Sequence, residues 1–302
     1  SRERLQPHGE LRLRVLDASG KAVPARVMLT AADGRRYAPA DAWLHADDGF
    51  NRGASRFEPQ YFHTAGSSLV SLPAGAASVK VWRGLEQHIA RHDVEVRADG
   101  ITELVVRLRA VDVPKDWNPV SADVHVHMNY GGHYRNTPPR LVAQAAAEDL
   151  DVVFNLVVNK EQRIPDIRAF TTAPDAASTA ATLLLHGQEF HTSYWGHLGL
   201  LGLDEHFLLP DYSTYANTGL ASPYPDNATV GRLAHEQNAL VGYVHPYLSV
   251  PDPASESLSN ALPVDAALGT ADFYEVVGFA DHRSSAEVWY RLLNCGMRLA
   301  AA

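Results

Sequence analysis

The chain has 302 residues, 46% of them apolar and 20% charged, and a net charge of −9, values typical of a globular protein with room for two domains. No apolar run approaches the roughly 18 residues of a membrane span, so we expect no segment that crosses a bilayer. The single Cys295 excludes a disulfide framework. A start at Ser1 without methionine is compatible with a processed periplasmic or secreted protein, and a cytoplasmic location stays open.

Charge and histidine are unevenly distributed along the chain. Residues 1–113 carry 16 Lys and Arg against 14 Asp and Glu, whereas residues 114–302 carry 10 against 21. Ten of the fifteen histidines also lie in this acidic second part. An acidic surface repels nucleic-acid phosphates, so we expect no nucleic-acid partner. Acidic residues combined with histidines suit a site that holds cations.

The first part, residues 1–113, predicts an antiparallel β-sandwich. Residues 11–17 alternate between apolar and polar, the pattern of a half-buried strand. Similar short runs separated by Gly or Asp turns follow at residues 23–30, 68–72, 78–82, 88–96 and 101–109. Several short strands at such spacing favour a sandwich. The polar connector 113–119 is the predicted boundary to the second domain, residues 114–302.

The second part predicts alternating strands and helices. Residues 151–158 are a continuous apolar run, typical of a parallel strand that is buried on both faces. Further strands are predicted at residues 182–185, 198–203, 240–244, 273–277 and 297–300, with helices starting near residues 137, 228 and 285. Repeated βα units predict an α/β fold with a parallel sheet or barrel, in which the C-terminal strand ends form one functional rim.

Residues 123–127 give the strongest functional signal. Asp123, His125 and His127 are two residues apart, so on an extended strand they project from the same face. Two adjacent imidazoles can share one cation, and Asp123 would orient one of them from behind. A pair of glycines then allows a tight turn that brings His133 over the same position. The alternative is a polar strand face with incidental histidines.

Other candidate ligands also lie near the ends of apolar runs. Glu189 follows such a run, where its carboxylate can bridge two cations, with a strand-end salt bridge as the alternative. His197 and His245 are bracketed by Gly or Pro, which fix the backbone around them. His191 is the weaker candidate, because we expect only one of it and Glu189 to face the site.

Chemistry beyond metal binding is predicted for a few residues near the mouth of the barrel. His133 or His191 would donate a proton to the leaving group. Substrate contacts are expected from Tyr130, Asn159 and His282. The sequence contains no Gly-rich phosphate loop, no Gly-x-Ser-x-Gly elbow and no Cys–His pair, so a hydrolase of this sequence would have to be metal-dependent.

The order and spacing of these motifs over residues 118–302 resemble the PHP (polymerase and histidinol phosphatase) metallohydrolases. The matching elements are His125-x-His127, Gly132-His133, Gly187-Gln-Glu189, Gly196-His-Leu-Gly199 and Val244-His-Pro246. Residues 187–191, 195–202 and 289–296 are similar to the carbaryl-hydrolase-like branch, and residues 72–108 resemble a transthyretin-like module. The resemblance implies a distorted PHP-type βα barrel holding two or three Zn, Mn or Fe ions. It implies His125, His127, Glu189, His197 and His245 as ligands, with His133 at the third metal.

The sequence departs from the family pattern at two places. Asn159 stands where many relatives have a histidine, so one metal position would be empty or replaced by a substrate contact. The chain also ends at Ala302, before the Gly-[Ser/Thr]-Asp-Ala segment that supplies a further Asp ligand in the family. We therefore expect a barrel truncated at its C-terminus and a natural protein that continues past Ala302.

The sequence thus predicts a metal-dependent hydrolase acting on a small-molecule ester, carbamate or phosphoester; a homo-oligomeric assembly stays open. The alternative is a non-catalytic binding protein with a degenerate PHP-like barrel and a glycan- or partner-binding β module. Asn159 and the missing terminal Asp favour the alternative. The intact His125, His127 and Glu189 disfavour it, because buried ionisable groups are costly to keep without a function.

Overall fold

The structure is a computed structural model that describes residues 7–46, 59–114, 116–129, 135–159, 164–192, 195–207, 224–247, 250–252, 260–278 and 282–302. The chain divides into two compact units. The first unit contains residues 1–121 and 142–151, and the second contains residues 122–141 and 152–302. The sequence predicts a domain boundary at residues 113–119. That the parts on either side of it fold independently stays a prediction.

The first unit is built from two sheets that share one apolar core. Its strands are β1 (His8–Leu16), β2 (Ala25–Thr30), β3 (Arg36–Tyr37), β4 (His45–Ala46), β5 (Gln60–Thr64), β6 (Ser67–Pro73), β7 (Gly75–Trp82), β8 (Ala90–Val96) and β9 (Ile101–Arg107). One sheet has the order β6-β1-β9, and the other has the order β4-β5-β2-β7-β8 with β3 paired to β2. The pairs are antiparallel except β1–β9, which is parallel.

Alternation of side chains explains how the sheets of the first unit pack. Leu11, Leu13 and Val15 of β1 are buried, while the arginines between them are exposed, as period-two geometry requires. Val27 of β2 and Val79 of β7 enter the same core from the other sheet.

A half-buried carboxylate, that of Glu148, is also part of the first unit. Glu148 accepts from Arg26 Nε at 2.5 Å, and its Oε1 atom lies 2.5 Å from His63 Nε2. The Arg26 guanidinium in turn lies over the Tyr61 ring, 4.1 Å from its centroid. Burial would raise the pKa of Glu148, but the bonds from His63 and Arg26 outweigh it and lower this pKa.

The second unit contains one seven-stranded sheet in the order β10-β11-β12-β13-β14-β15-β16. Its strands are β10 (Ala122–Val126), β11 (Val152–Val158), β12 (Leu183–Phe190), β13 (Leu198–Leu201), β14 (Leu240–Tyr243), β15 (Phe273–Tyr274) and β16 (Ala300–Ala301). Its helices are α2 (Ile164–Ile167), α3 (Asn227–Glu236), α4 (Leu262–Leu268) and α5 (His282–Asn294), while α1 (Pro138–Ala147) is divided between the two units at residue 142. Burial of Phe190, Leu198, Leu200 and Tyr243 forms the centre of its main core.

The predicted α/β fold with a PHP-type βα barrel is wrong. Strand residues outnumber helix residues, 36% against 17%, and the sheet is a curled half-barrel of parallel and antiparallel strands. The reason lies at β13, which runs antiparallel to both β12 and β14. Only residues 191–197 separate β12 from β13. A parallel crossover needs about ten or more residues, so this connection is too short to hold a helix and reverses the chain instead.

The strand directions bring one end of each of the seven strands to the same edge of the sheet, since β16 is also parallel to β15. β10, β11 and β12 are mutually parallel, and β14 and β15 are parallel to each other. Because β13 lies antiparallel between β12 and β14, its N-terminal end lies beside the C-terminal ends of those two strands. Residues that follow β10, β12, β14 or β15, and residues that precede β13, therefore meet at this edge.

In the described part of the chain no helix has the length and apolar character needed to span a membrane.

Candidate metal centre

A single carboxylate, that of Glu189, lies at the centre of a histidine cluster. Its side chain is 1% exposed, since β12 is covered on both faces near its C-terminal end. Five imidazoles contact its two oxygens. Oε2 lies 2.7 Å from the Nε2 atoms of His127 and His191 and 3.5 Å from that of His125, and Oε1 lies 2.9 Å from His197 Nδ1 and 3.1 Å from His245 Nε2.

Each histidine reaches Glu189 because of its place on the sheet. His125 is on β10 and His127 just beyond it, and their spacing of two turns both rings to the same side. The two Nε2 atoms are 3.2 Å apart. His245 follows β14, whereas His197 precedes β13, whose reversed direction brings it to the same edge.

The cluster contains two sets of three residues whose ligand atoms lie close enough to share a cation. The first set is Glu189, His125 and His245, with all three atoms within 4.8 Å of one another. The second set is Glu189, His191 and His197, under the same limit. Glu189 belongs to both sets, so it is placed to bridge two ions.

The Nδ1 atoms of two imidazoles lie within hydrogen-bond distance of acceptor oxygens. His127 Nδ1 lies 2.9 Å from the Leu156 carbonyl oxygen, and His125 Nδ1 lies 3.1 Å from Glu275 Oε1. A ring nitrogen bonded to a carbonyl or carboxylate leaves the other nitrogen free to face a metal ion. This is the usual arrangement of metal-binding histidines in proteins.

Glu275 also fixes the backbone at His245. Its carboxylate accepts the His245 backbone N–H, and its side chain is nearly buried. His245 has φ of 33°, a left-handed conformation that non-glycine residues rarely adopt. The bond from Glu275 is therefore part of what holds His245 toward Glu189.

The charges in the cluster are strongly coupled. Burial would raise the pKa of Glu189, but hydrogen bonds from the surrounding histidines outweigh it and hold this pKa well below its usual range. Burial would likewise lower the pKa of His125, but the carboxylates of Glu189 and Glu275 outweigh it and raise this pKa to about 10. The site therefore favours positive charge at its centre, which protons or metal ions can supply.

The other predicted site residues have different surroundings. Asp123 accepts the backbone N–H of His125 at 3.0 Å, so it supports the strand rather than an imidazole ring. Asn159 binds both backbone groups of His191, with its Oδ1 accepting at 2.7 Å and its Nδ2 donating at 3.3 Å. His282 begins α5 with an exposed side chain and is in neither ligand set. Tyr130 and His133 lie outside the described residues.

Two features of the site differ from the sequence prediction. His191 and Glu189 were expected to be alternatives, but both face the cluster, since residues two apart on β12 share a face. Glu275 was not identified as a site residue. In the structure it directly follows β15, whereas the strand predicted at residues 273–277 places it in mid-strand.

Comparisons with known proteins give no family. No protein-family model and no curated protein matches the chain. Among solved structures, PsfC from Pseudomonas syringae PB-5123 aligns over 57% of this chain and 71% of its own, with 12% identity and a TM-score of 0.38. The minor pilin GBS52 of Streptococcus agalactiae aligns over 38% of this chain, with 15% identity and a TM-score of 0.27; the chain spans 50% of that pilin. Similarity at this level assigns neither a fold family nor a function.

Proposed function

We propose that the chain is a metal-dependent hydrolase that holds two divalent transition-metal ions around Glu189. The observation that carries this proposal is a carboxylate with 1% exposure whose two oxygens face five imidazoles. A charged carboxylate at this depth is costly unless cations compensate it. Its side-chain partners among the described residues are histidines, so the compensating charge comes from protons or from metal ions.

The donor set fits the proposed ions. Imidazole nitrogens with one carboxylate suit Zn²⁺, Mn²⁺ or Fe²⁺, and they are a poor match for Ca²⁺ or Mg²⁺, which prefer oxygen ligands. His125, Glu189 and His245 would hold one ion, and Glu189 with His191 and His197 would hold the other. His127 lies 2.7 Å from Glu189 Oε2 and is available to either ion.

Metal ions bound here would supply a water activated near neutral pH and positive charge for a developing oxyanion. The residues of the chain position the ions and transfer protons. Glu189 would contribute a ligand atom to both positions, and Glu275 keeps the His125 ring turned toward the centre. The sequence predicts proton transfer to the leaving group by His133 or His191; because His191 would hold an ion, the proposal assigns this role to His133.

The substrate class in this proposal is a small-molecule ester, carbamate or phosphoester. Support comes from the order and spacing of the histidine motifs, which resemble those of PHP metallohydrolases. We also propose that the site residues are related to those of that superfamily. The expected location of the protein is periplasmic or secreted. The proposed relationship does not extend to the barrel architecture of the family.

Elemental analysis of the purified protein tests the proposal. We expect about two transition-metal ions per chain. We also expect metal-dependent hydrolysis of 4-nitrophenyl acetate or 4-nitrophenyl phosphate that is lost on chelation. The variant Glu189→Gln should lose metal and activity, whereas the exposed control Glu236→Gln should keep both. A wild-type protein without metal and without hydrolysis would favour the alternative, a non-catalytic binding protein.

A further inference from the structure

We infer that two asparagines, Asn159 and Asn227, are positioning residues that fix the connection between β12 and β13 and thereby form the second ligand set. This inference rests on the proposed function, since it concerns the second metal position of the same site. The connection, residues 191–197, begins at His191 and ends at His197, the two histidines of that set.

Asn159 holds the start of the connection. Its side-chain oxygen accepts the His191 backbone N–H at 2.7 Å, and its amide donates to the His191 carbonyl oxygen at 3.3 Å. Asn159 directly follows β11, which pairs in parallel with β12 up to Val158 and Glu189. A carboxamide offers one acceptor and one donor at a fixed spacing, so it continues the pairing beyond the end of β11. His191 is thereby kept in register two residues beyond Glu189.

Asn227 holds the end of the connection. Its Nδ2 lies 3.1 Å from the Trp195 carbonyl oxygen and 3.0 Å from that of Gly196, the two residues directly before His197. Its Oδ1 accepts from the Thr192 hydroxyl at 3.3 Å. Asn227 is 1% exposed. The Trp195 carbonyl also accepts the Ala261 N–H at 3.0 Å, and the Gly196 carbonyl also accepts from the Thr192 hydroxyl at 2.9 Å. Asn227 binds both carbonyls at once, so it fixes their relative position directly before His197.

Neighbouring contacts leave the connection little freedom at its end. Gly196 has φ of 88°, and a Cβ at this position would lie 3.1 Å from Asn260 and 3.2 Å from Tyr243. The His197 carbonyl oxygen accepts the Val244 N–H at 3.2 Å. The direction of the His197 ring toward Glu189 is thus set by backbone contacts on both sides of Gly196.

The first ligand set does not depend on the connection in the same way. His125 and His245 are carried by β10 and β14, and their orienting carboxylate is Glu275. Asn159 contacts neither of them among the described contacts, whereas Asn227 also donates to the Tyr243 hydroxyl at 3.0 Å on β14. Asn159 is therefore the cleaner of the two positions for an experiment.

Competition between the protein and a chromophoric chelator for Zn²⁺ tests the inference, with the two equivalents of Zn²⁺ measured separately. The variants are Asn159→Ala and Asn227→Ala, with the exposed Asn294→Ala as matched control and His197→Ala as the one-ion reference. We expect both test variants to bind the first equivalent like the wild type and the second about 10- to 100-fold more weakly. Asn294→Ala should bind both equivalents like the wild type.

A loss of affinity for the second Zn²⁺ equivalent alone indicates that the asparagines position the second ligand set. A merely structural role would lower both affinities. The inference is overturned if a folded Asn159→Ala protein binds both ions with wild-type affinity. It is also overturned if both affinities fall together in proportion to a loss of thermal stability. If Asn159→Ala does not fold, Asn159→Leu decides, since leucine is close in size to asparagine, neutral and without the donor or the acceptor. A folded Asn159→Leu protein with wild-type affinity for both ions would likewise overturn the inference. A wild-type protein that binds no Zn²⁺ would remove the proposed function itself.

Discussion

Two carboxylates in this chain, the half-buried Glu148 and the buried Glu189, are compensated in different ways. Glu148 in the first unit is paired with the Arg26 guanidinium and with His63. Glu189 in the second unit is surrounded by five imidazoles instead. A guanidinium keeps its charge at any ordinary pH, whereas imidazoles gain or lose theirs near neutrality. The positive charge that compensates Glu148 is therefore fixed. The positive charge that compensates Glu189 can come from protons or from metal ions.

The largest expected effect comes from neutralising each carboxylate in turn. Glu189→Gln should reduce metal affinity by more than about 100-fold, because it removes the shared ligand of both sets. Glu148→Gln should leave metal content unchanged and cost about 1–3 kcal/mol of unfolding free energy, because Arg26 and His63 lose their charged partner. Elemental analysis and chemical denaturation of both variants measure this contrast. Equal metal content in the two variants would contradict it.

Removing the paired histidines should come next in size. The double variant His125→Ala and His127→Ala should lose at least one metal ion per chain and its hydrolytic activity, since His125 is a ligand of the first set. The first unit should keep its fold, because neither histidine belongs to its core. Metal analysis and hydrogen exchange of β1 and β2 amides check the two parts. A double variant with wild-type metal content would show that the strand face is not a ligand face.

Loss of the carboxylate behind His125 should have a smaller effect. Glu275→Gln keeps a hydrogen-bond acceptor near His125 Nδ1 but removes its charge. We expect metal affinity at the first set to fall about 10- to 100-fold while the second set is little affected. Chelator competition with Zn²⁺ measures both. The exposed control Glu287→Gln should change neither, and a uniform loss in Glu275→Gln would mean that the two sets are not separable.

The pH dependence of the metal-free protein sharpens the same comparison. The folded pKa of His125 is about 10, above the ordinary 6.5, so its contribution to stability is complete below pH 6.5 and is lost as pH rises toward 10. The folded pKa of Glu189 is lowered, so its contribution is present above pH 4.5 and is lost on acidification. Glu148 also has a lowered pKa, and its Arg26 partner stays charged, so it adds no loss at alkaline pH.

Hydrogen exchange measured from pH 6 to pH 9.5, corrected for the intrinsic rate, tests this expectation. Amides of β12 should lose protection as pH rises, while amides of β2 should not. Added Zn²⁺ should restore protection in β12, because it replaces the protons that leave the histidines. The same loss in both strands would contradict an exchangeable charge that is confined to the second unit.

The smallest expected effect is at the end of the connection between β12 and β13. Gly196→Ala places a side chain at φ of 88°, with short contacts to Asn260 and Tyr243. We expect the left-handed backbone to cost about 1–2 kcal/mol of unfolding free energy, and the short contacts to make Gly196→Ala less stable than the control. Thermal unfolding measures it, with Gly202→Ala as control, since that glycine also has positive φ but no atom within 4 Å of its Cβ position. An equal loss in both variants would leave only the backbone strain as a cause.

The sequence contained much of the site and less of the fold. The spacing of His125 and His127 predicted that both side chains point to the same face of the strand. This prediction follows from the two-residue period of a strand and needs no tertiary information. Apolar runs also located most strands, but periodicity does not tell whether neighbours run parallel or antiparallel. The short connection before β13 did contain that information, and the prediction of βα units overlooked it. The antiparallel direction of β13 also explains why His197 precedes its strand while the other ligands lie near C-terminal strand ends.

Glu275 and Asn159 mark the other limits of the sequence prediction. The run 273–277 reads as one strand, so Glu275 lies in its middle, whereas β15 ends at Tyr274 and puts Glu275 at the edge of the sheet. Asn159 was expected to contact substrate because a histidine would stand there in PHP proteins. Its amide is instead engaged by the His191 backbone, a contact between two strands that no single-chain pattern encodes. With Glu275 the described site has a second carboxylate, in addition to Glu189.

The reversal of the chain at β13 has a consequence for the order of assembly. The second ligand set lies within positions 189 to 197, so it closes a short loop, whereas the first set joins positions 125 to 245. Loop closure costs more entropy over longer separations, and local contacts generally form earlier in folding. We expect the hairpin of β12 and β13 to bind one ion while β10 and β14 are still unpaired. Zinc present during refolding would then act as a nucleus for the sheet, and zinc added afterwards would act only as a ligand.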